Sequence, residues 1–333
     1  MSTLLEKIQK NSKIKHTALL GESKIFGKNE IVPTDIPMLN VALYGNFAGG
    51  LSPGMLQIVG DSKMFKTGFS LVLAKAFQDK YEDGVILFYD SEFGSPPQYF
   101  ENLGLDMNRV IHTPIQDIEE LKFDLVSQMD NFERGDHVMI IIDSIGGLAS
   151  KKEVEDALDQ KSVADMTRAK AMNSLFRIIT PKLVIKHIPL LAVNHVYDEI
   201  GPMYPKKIVK GGKQNYLSSN DIWIVSRRQD KDQKTKEING YDFVITIEKS
   251  RYVKEQSKIP ITVSWENGIF KYSGLFELAM EAGLITSPTK GWYKIGNSET
   301  NVRKSEIEED DELLSSLLED DYFKEFVEEK YKV

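Results

Sequence analysis

From about residue 36 to 275 the chain alternates short apolar runs with stretches whose apolar residues recur every three to four positions. The runs, at 55–60, 85–90, 109–112, 138–143, 189–194, 221–227, 242–249 and 259–265, have the length of strands. Several, such as VILFYD at 85–90 and VMIIID at 138–143, are apolar almost throughout, as strands buried on both faces are. Helical spacing predicts helices near 67–80, 117–133 and 163–187. The last is expected to kink or break at Pro181, which has no N–H for the helical ladder. This alternation predicts an α/β fold with a mostly parallel central sheet. Before it, residues 3–18 carry a basic amphipathic helix pattern, and 21–30 read as a linker. After 275 come a helix at 274–282, a strand-like piece at Trp292-Tyr293 and an acidic amphipathic helix near 311–328, with Leu313, Leu317, Tyr322 and Phe326 as its apolar positions. The expected organisation is an N-terminal helix and linker (1–30), a core (31–273) and a small C-terminal α+β domain (274–333).

Composition narrows the class. Of the 333 residues 41% are hydrophobic and 28% charged, with no apolar run long enough to cross a bilayer, so a soluble globular protein is expected. The mixed, charged N-terminus MSTLLEKIQKNSKIK does not read as a signal peptide. Without a single Cys, disulfides, thiolate metal sites and a Cys nucleophile are excluded, which fits a reducing cytoplasm. The net charge of −8 is unevenly spread: residues 306–330 hold twelve acids against Lys324 and Lys330, leaving the rest of the chain about +2. An acidic protein overall can therefore still bind a polyanion.

Candidate chemistry gathers at strand ends. The run Gly60-Asp61-Ser62-Lys63-Met64-Phe65-Lys66-Thr67-Gly68 lies between an apolar strand and a helix, the layout of a phosphate-binding loop. There backbone N–H groups face the anion, Lys66 neutralises the outer phosphates and the Thr67 hydroxyl ligates Mg²⁺. Phe65 occupies the position where the usual pattern has Gly, awkward for a bulky residue if φ must be positive. Asp143 ends a neighbouring strand and is placed to share the Mg²⁺ shell. At the end of another, Glu92 is placed to orient or deprotonate an attacking water, with Asp90 as competitor. A third strand ends in Asn194-His195, where His195 could sense the γ-phosphate. Two long connections, at about 146–162 and 196–219, leave strand C-termini, where open α/β sheets place ligands; the second is rich in Gly and Lys. His16, His112, His137, His187 and His195 are far apart, and neither a Ser-His-Asp order nor a zinc spacing occurs.

Taken in order, GDSKMFKT, FYDSEFG, VMIIIDS, LLAVNH and the Gly/Lys-rich loop closely resemble the RecA family of DNA strand-exchange ATPases, in particular its T-even phage branch. The resemblance spans about residues 30 to 295, and Phe65 becomes a mark of that branch. It implies a RecA-like P-loop core that binds ATP and Mg²⁺, forms helical filaments on single-stranded DNA and pairs it with homologous duplex in recombination, repair and recombination-dependent replication. It implies Glu92 as catalytic glutamate, Asp143 as the Mg²⁺-linked aspartate, His195 as sensor and Tyr99 as the adenine-stacking aromatic. The two long connections match DNA-binding loops, with Lys151, Lys152 and Arg168 at the first and Lys206, Lys207, Lys210, Gly211 and Gly212 in the second. Lys249 and Arg251 resemble paired cations reaching the ATP of an adjacent subunit; two apart on one strand, they would share a face. The N-terminal helix would dock on the neighbour. Expected partners are a single-stranded-DNA-binding protein and a recombination mediator, in the cytoplasm of a bacterial host, and no membrane. The competing readings are a RecA-fold hexameric replicative helicase and a non-hydrolysing mediator. A short N-terminal segment disfavours the first; Lys66, Thr67, Glu92 and Asp143 together disfavour the second.

Overall fold

The strand runs assemble into one sheet of nine strands. A computed structural model of the chain describes residues 4–23, 25, 31–159, 167–199, 201, 207–231, 238–266, 268–296, 298 and 300–333. The sheet is built from β1 (Gly54–Gly60), β2 (Val85–Asp90), β3 (Val110–Pro114), β4 (Val138–Asp143) and β5 (Pro189–Asn194), and from four later strands. Between these lie β6 (Val196–Asp198) and β7 (Lys207–Val209), which form a separate antiparallel hairpin. The later strands are β8 (Asp221–Lys231), β9 (Ile238–Lys249), β10 (Lys258–Ser264) and β11 (Gly268–Ile269). Their order across the sheet is β11-β10-β9-β8-β1-β5-β4-β2-β3. Pairing is parallel from β8 to β3 and antiparallel from β8 to β11.

Side-chain alternation explains the apolar runs. On β4, Met139 and Ile141 face one apolar cluster, while Ile140 and Ile142 face another. The first face is covered by α2 (Pro37–Tyr44) and α3 (Lys66–Lys80), the second by α5 (Ile118–Asn131) and α7 (Thr167–Lys186). The exposed α1 (Leu4–Asn11) precedes them, with Leu4, Leu5 and Ile8 open to solvent, and α4 (Pro97–Asn102) follows β2. The break expected at Pro181 does not occur, since α7 runs through it. Phe176 and Ile179 before the proline and Leu183 after it are fully buried on one packed face, so tertiary contacts carry the helix across the missing hydrogen bond.

The two long connections contain structure. The first holds α6 (Lys151–Leu158), begun by a capping box between Ser150 and Glu153; the second holds the β6–β7 hairpin and α8 (Gly212–Ser218).

Beyond β11 the chain forms α9 (Leu275–Glu281), the hairpin β12 (Ile285–Thr289) and β13 (Trp292–Ile295), then α10 (Lys304–Glu308), α11 (Asp311–Glu319) and α12 (Asp321–Tyr331). The acidic helix expected near 311–328 is thus two helices. Asp320 leaves the helical conformation and its carboxylate accepts from Phe323 N at 2.8 Å, capping α12. Leu314, Leu317, Phe323, Val327 and Tyr331 are buried in the same cluster as Met38, Leu39, Ile259 and Leu278. Lys332 pairs with Val253, tying the last helix to the turn after β9.

Candidate nucleotide site and adjoining loops

The loop between β1 and α3 turns at two non-glycine residues with positive φ, Lys63 at 63° and Phe65 at 55°. Such a conformation costs a bulky residue of order 1 kcal/mol or more. Packing offsets it: the Phe65 ring stacks on Phe243 at 5.5 Å and meets Phe69 edge-on at 5.3 Å. Gly68 makes room, since a Cβ there would lie 2.4 Å from the Phe65 ring. The aromatic in the phosphate loop is therefore anchored to the core through β9.

The ends of β1, β2, β4 and β5 converge on a cavity of about 430 Å³, lined among others by Lys66, Thr67, Glu92, Tyr99, Asp143 and His195. Lys66 donates to the Asp61 carbonyl at 2.7 Å; burial lowers its pKa, while Glu92, Asp143 and Asp61 pull the other way. Thr67 Oγ1 donates to Asp143 Oδ2 at 2.5 Å. The other oxygen, Asp143 Oδ1, is buried without a hydrogen-bond partner. Burial, reinforced by the nearby Glu92 and Asp90 charges against the Thr67 hydrogen bond, pushes the Asp143 carboxyl up to about 6. A hydroxyl and one orphaned carboxylate oxygen at a helix N-terminus fit Mg²⁺, which keeps waters and phosphate oxygens as its remaining ligands. Among the described residues no cluster of three or more His or acidic side chains could hold a metal by itself.

Glu92 Oε1 accepts from Ser144 Oγ at 2.5 Å and lies 3.0 Å from His195 Nε2. Burial would raise this carboxyl; the hydrogen bonds from Ser144 and His195, with the Lys66 charge, outweigh it and hold Glu92 below the ordinary glutamate value. Asp90 is engaged elsewhere. It is buried, its Oδ1 accepts from the backbone N–H of Glu92 (3.1 Å) and Phe93 (2.8 Å), and its Oδ2 meets His112. It shapes the turn that presents Glu92. Tyr99 is half-buried at the cavity, and burial, then the Asp143 charge, raises its hydroxyl.

The loop cations divide. Lys151 and Lys152 are exposed in the first turn of α6. The Arg168 guanidinium is instead spent on the base of that loop, donating to the carbonyls of Leu148, Ile145 and Gly146. Lys206 lies outside the described residues. Lys207 reaches back to the phosphate loop, pairing with Asp61 at 3.1 Å and Asp198 at 2.9 Å. Lys210 gives its carbonyl to Asn194 and Asn215, and Gly211, at φ 105°, starts α8 where a Cβ would meet Asn215 at 2.6 Å. Gly212 follows as the first helical residue.

The shared-face expectation for Lys249 and Arg251 is corrected. β9 ends at Lys249, and Arg251 lies in the turn beyond, exposed. Lys249 Nζ donates to the carbonyls of Tyr216, Leu217 and Ser219, so it caps the C-terminal end of α8. Sequence reasoning also missed Ser144, a single polar letter after an apolar run whose partners, Ser91 and Glu92, are remote in sequence.

A strand–loop–helix cradle beside a carboxylate–imidazole pair, on a sheet whose strand ends also carry two long loops, the second of them basic, is the arrangement of a P-loop ATPase. A family model described as the RecA N-terminal domain matches residues 1–270, so the chain belongs to the RecA family and is a DNA-dependent ATPase of recombination and repair. Residues 272–327 match the model described as the C-terminal domain of the bacteriophage T4 recombination and repair protein. The recombination and repair protein of Enterobacteria phage T4 is 48% identical over 293 residues, 88% of this chain and 74% of that protein. Protein RecA of Aquifex aeolicus is 24% identical over 315 residues, 91% of this chain and 88% of that one. Protein RecA of Cutibacterium acnes is 25% identical over 324 residues, 91% and 86%.

Proposed function

We propose that ATP is the nucleotide bound at Gly60–Gly68 and that Glu92 is the group that activates water. The observation that carries this reading is the pairing of an ionised Glu92, held by Ser144 and His195, with Lys66 across one cavity. Glu92 takes the proton of a water whose oxygen forms the new bond to the γ-phosphorus, as the bond to the ADP oxygen breaks. Lys66 and the N–H groups opening α3 neutralise the phosphate oxygens, and Tyr99 stacks on adenine. Thr67 and Asp143 Oδ1 would hold Mg²⁺, which when bound neutralises charge on the β- and γ-phosphates. His195, sharing Glu92, senses the γ-phosphate.

DNA lies on the exposed face of Lys151, Lys152 and the β6–β7 hairpin, with Lys206, Lys207 and Lys210 contributing, and the chain forms helical filaments on single strands that pair with homologous duplex. Arg251 is the cation that reaches an adjacent subunit, with Lys249 positioning α8 beside it. The unpartnered apolar residues of α1 support docking on a neighbouring copy. A single-stranded-DNA-binding protein and a mediator complete the expected partners, and the bacterial host cytoplasm is the expected compartment. Glu92→Gln should retain ATP binding and filament assembly but hydrolyse at least about 10²-fold more slowly. Normal hydrolysis by that variant would remove Glu92 from its role, and electron micrographs with DNA and ATP showing closed rings would replace the filament by a helicase.

A further inference from the structure

Gln57 is wholly buried in the middle of β1, among Met55, Leu56, Ile58 and Val59. A lone amide on such a strand costs about 1–3 kcal/mol unless its hydrogen bonds are met. They are met by β5, by α8 and by Ser219 just after it. Oε1 accepts from Asn194 Nδ2 of β5 at 3.0 Å and from Asn215 Nδ2 of α8 at 3.1 Å. Nε2 reaches the Asn215 carbonyl, Asn215 Oδ1 and Ser219 Oγ within 3.1 Å.

The same two asparagine amides donate to the Lys210 carbonyl, at 2.8 and 2.9 Å, closing a buried ring. Asn194 Oδ1 in turn accepts the backbone N–H of His195, the residue whose ring meets Glu92. One end of this network is therefore the hydrolytic carboxylate, and the other is the start of α8 behind the second loop. We propose that Gln57 is a positioning residue that couples the nucleotide site to the second loop. Any shift of the His195 peptide reorients the Asn194 amide. That breaks a bond to Gln57 and one to Lys210 together, so α8 either holds its place or moves as a unit. The inference rests on the reading of the second loop as a DNA-binding loop.

Gln57→Met keeps the length of the side chain and removes its donors and acceptor. The expected result is DNA-free ATP hydrolysis within about twofold of the wild type, while the stimulation by single-stranded DNA falls about tenfold, within the usual range of coupling between sites. In the binding equilibria, a non-hydrolysable ATP analogue should tighten DNA binding less than in the wild type, and by reciprocity DNA should tighten binding of the analogue less by the same factor. Wild-type stimulation in the variant would overturn the proposal, and so would a parallel fall in free and stimulated rates with a lowered melting temperature, which marks a merely structural amide. Asn215→Ala removes the far side of the ring and should reproduce the uncoupling; it decides the matter should Gln57→Met not fold. Absence of DNA stimulation in the wild type would refute the loop reading and the proposal with it, whereas equal stimulation in wild type and both variants refutes the proposal alone.

Discussion

Asp143→Asn should make the nucleotide-free protein more stable near neutral pH. Burial pushes the Asp143 carboxyl from an ordinary 3.8 up to about 6, and its Oδ1 has no partner. The folded state thus holds that proton more tightly than the unfolded chain does. The ionised carboxylate costs nothing below about pH 4, costs progressively more between about pH 4 and about pH 6, and carries its full penalty above that. A displacement of about two pH units at 1.36 kcal/mol each is about 3 kcal/mol, falling to about 1.5 kcal/mol near pH 5. Asparagine keeps the acceptor for Thr67 without the charge, so the variant escapes the penalty while losing Mg²⁺-dependent nucleotide binding. The assay is denaturation of both proteins with chelator present and nucleotide absent, at several pH values. A variant no more stable than wild type near pH 7.5, or an advantage that does not shrink toward pH 4, would refute the placement of an uncompensated carboxylate at this site.

Gly68→Ala should abolish nucleotide binding by forcing the Phe65 ring out of place, and Phe65→Gly in the same chain should restore part of it; titration with a fluorescent ATP analogue checks both, and a functional Gly68→Ala single variant would contradict the close approach. Ser144→Ala removes the hydrogen bond that helps keep Glu92 ionised, so the acidic limb of the ATPase pH profile should move to higher pH; an unmoved limb would detach Ser144 from Glu92. Truncation after Ser305 strips Leu314, Leu317, Phe323, Val327 and Tyr331 from the core, at about 2–5 kcal/mol per large side chain, so the product should be insoluble or unfolded by circular dichroism. A folded truncation product that binds DNA more tightly at low salt would instead make the acidic segment a competitor for the basic loops.

The central sheet was legible because its strands are buried on both faces and so write near-continuous apolar runs, and Lys66, Thr67, Asp143 and Glu92 stand at the ends of those runs. What stayed illegible was decided by partners remote in sequence. Pro181 looked like a breakpoint because the burial of Phe176, Ile179 and Leu183 on the opposite face of its helix is invisible locally. Asp320 read as one more acid in an acidic helix, although it ends one helix and caps the next. Arg168, Lys207 and Lys249 counted as free cations until the carbonyls and carboxylates that occupy them were in view. Ser144 and Gln57 carry no periodic signal, since each acts through one hydrogen-bonding group aimed at another strand or loop.

The pairing of Lys207 with Asp61 and Asp198 alters what a salt titration would count. Tight DNA binding draws on the release of ions condensed around the phosphates and on the loss of small anions from the cations that meet them. At Lys207 the anions are carboxylates covalently fixed to the protein, one of them in the phosphate loop. A DNA phosphate that took this lysine would displace no dissolved anion; it would free Asp61 of the phosphate loop. Part of the ionic exchange would thereby be internal to the chain, and it would be delivered to the loop between β1 and α3.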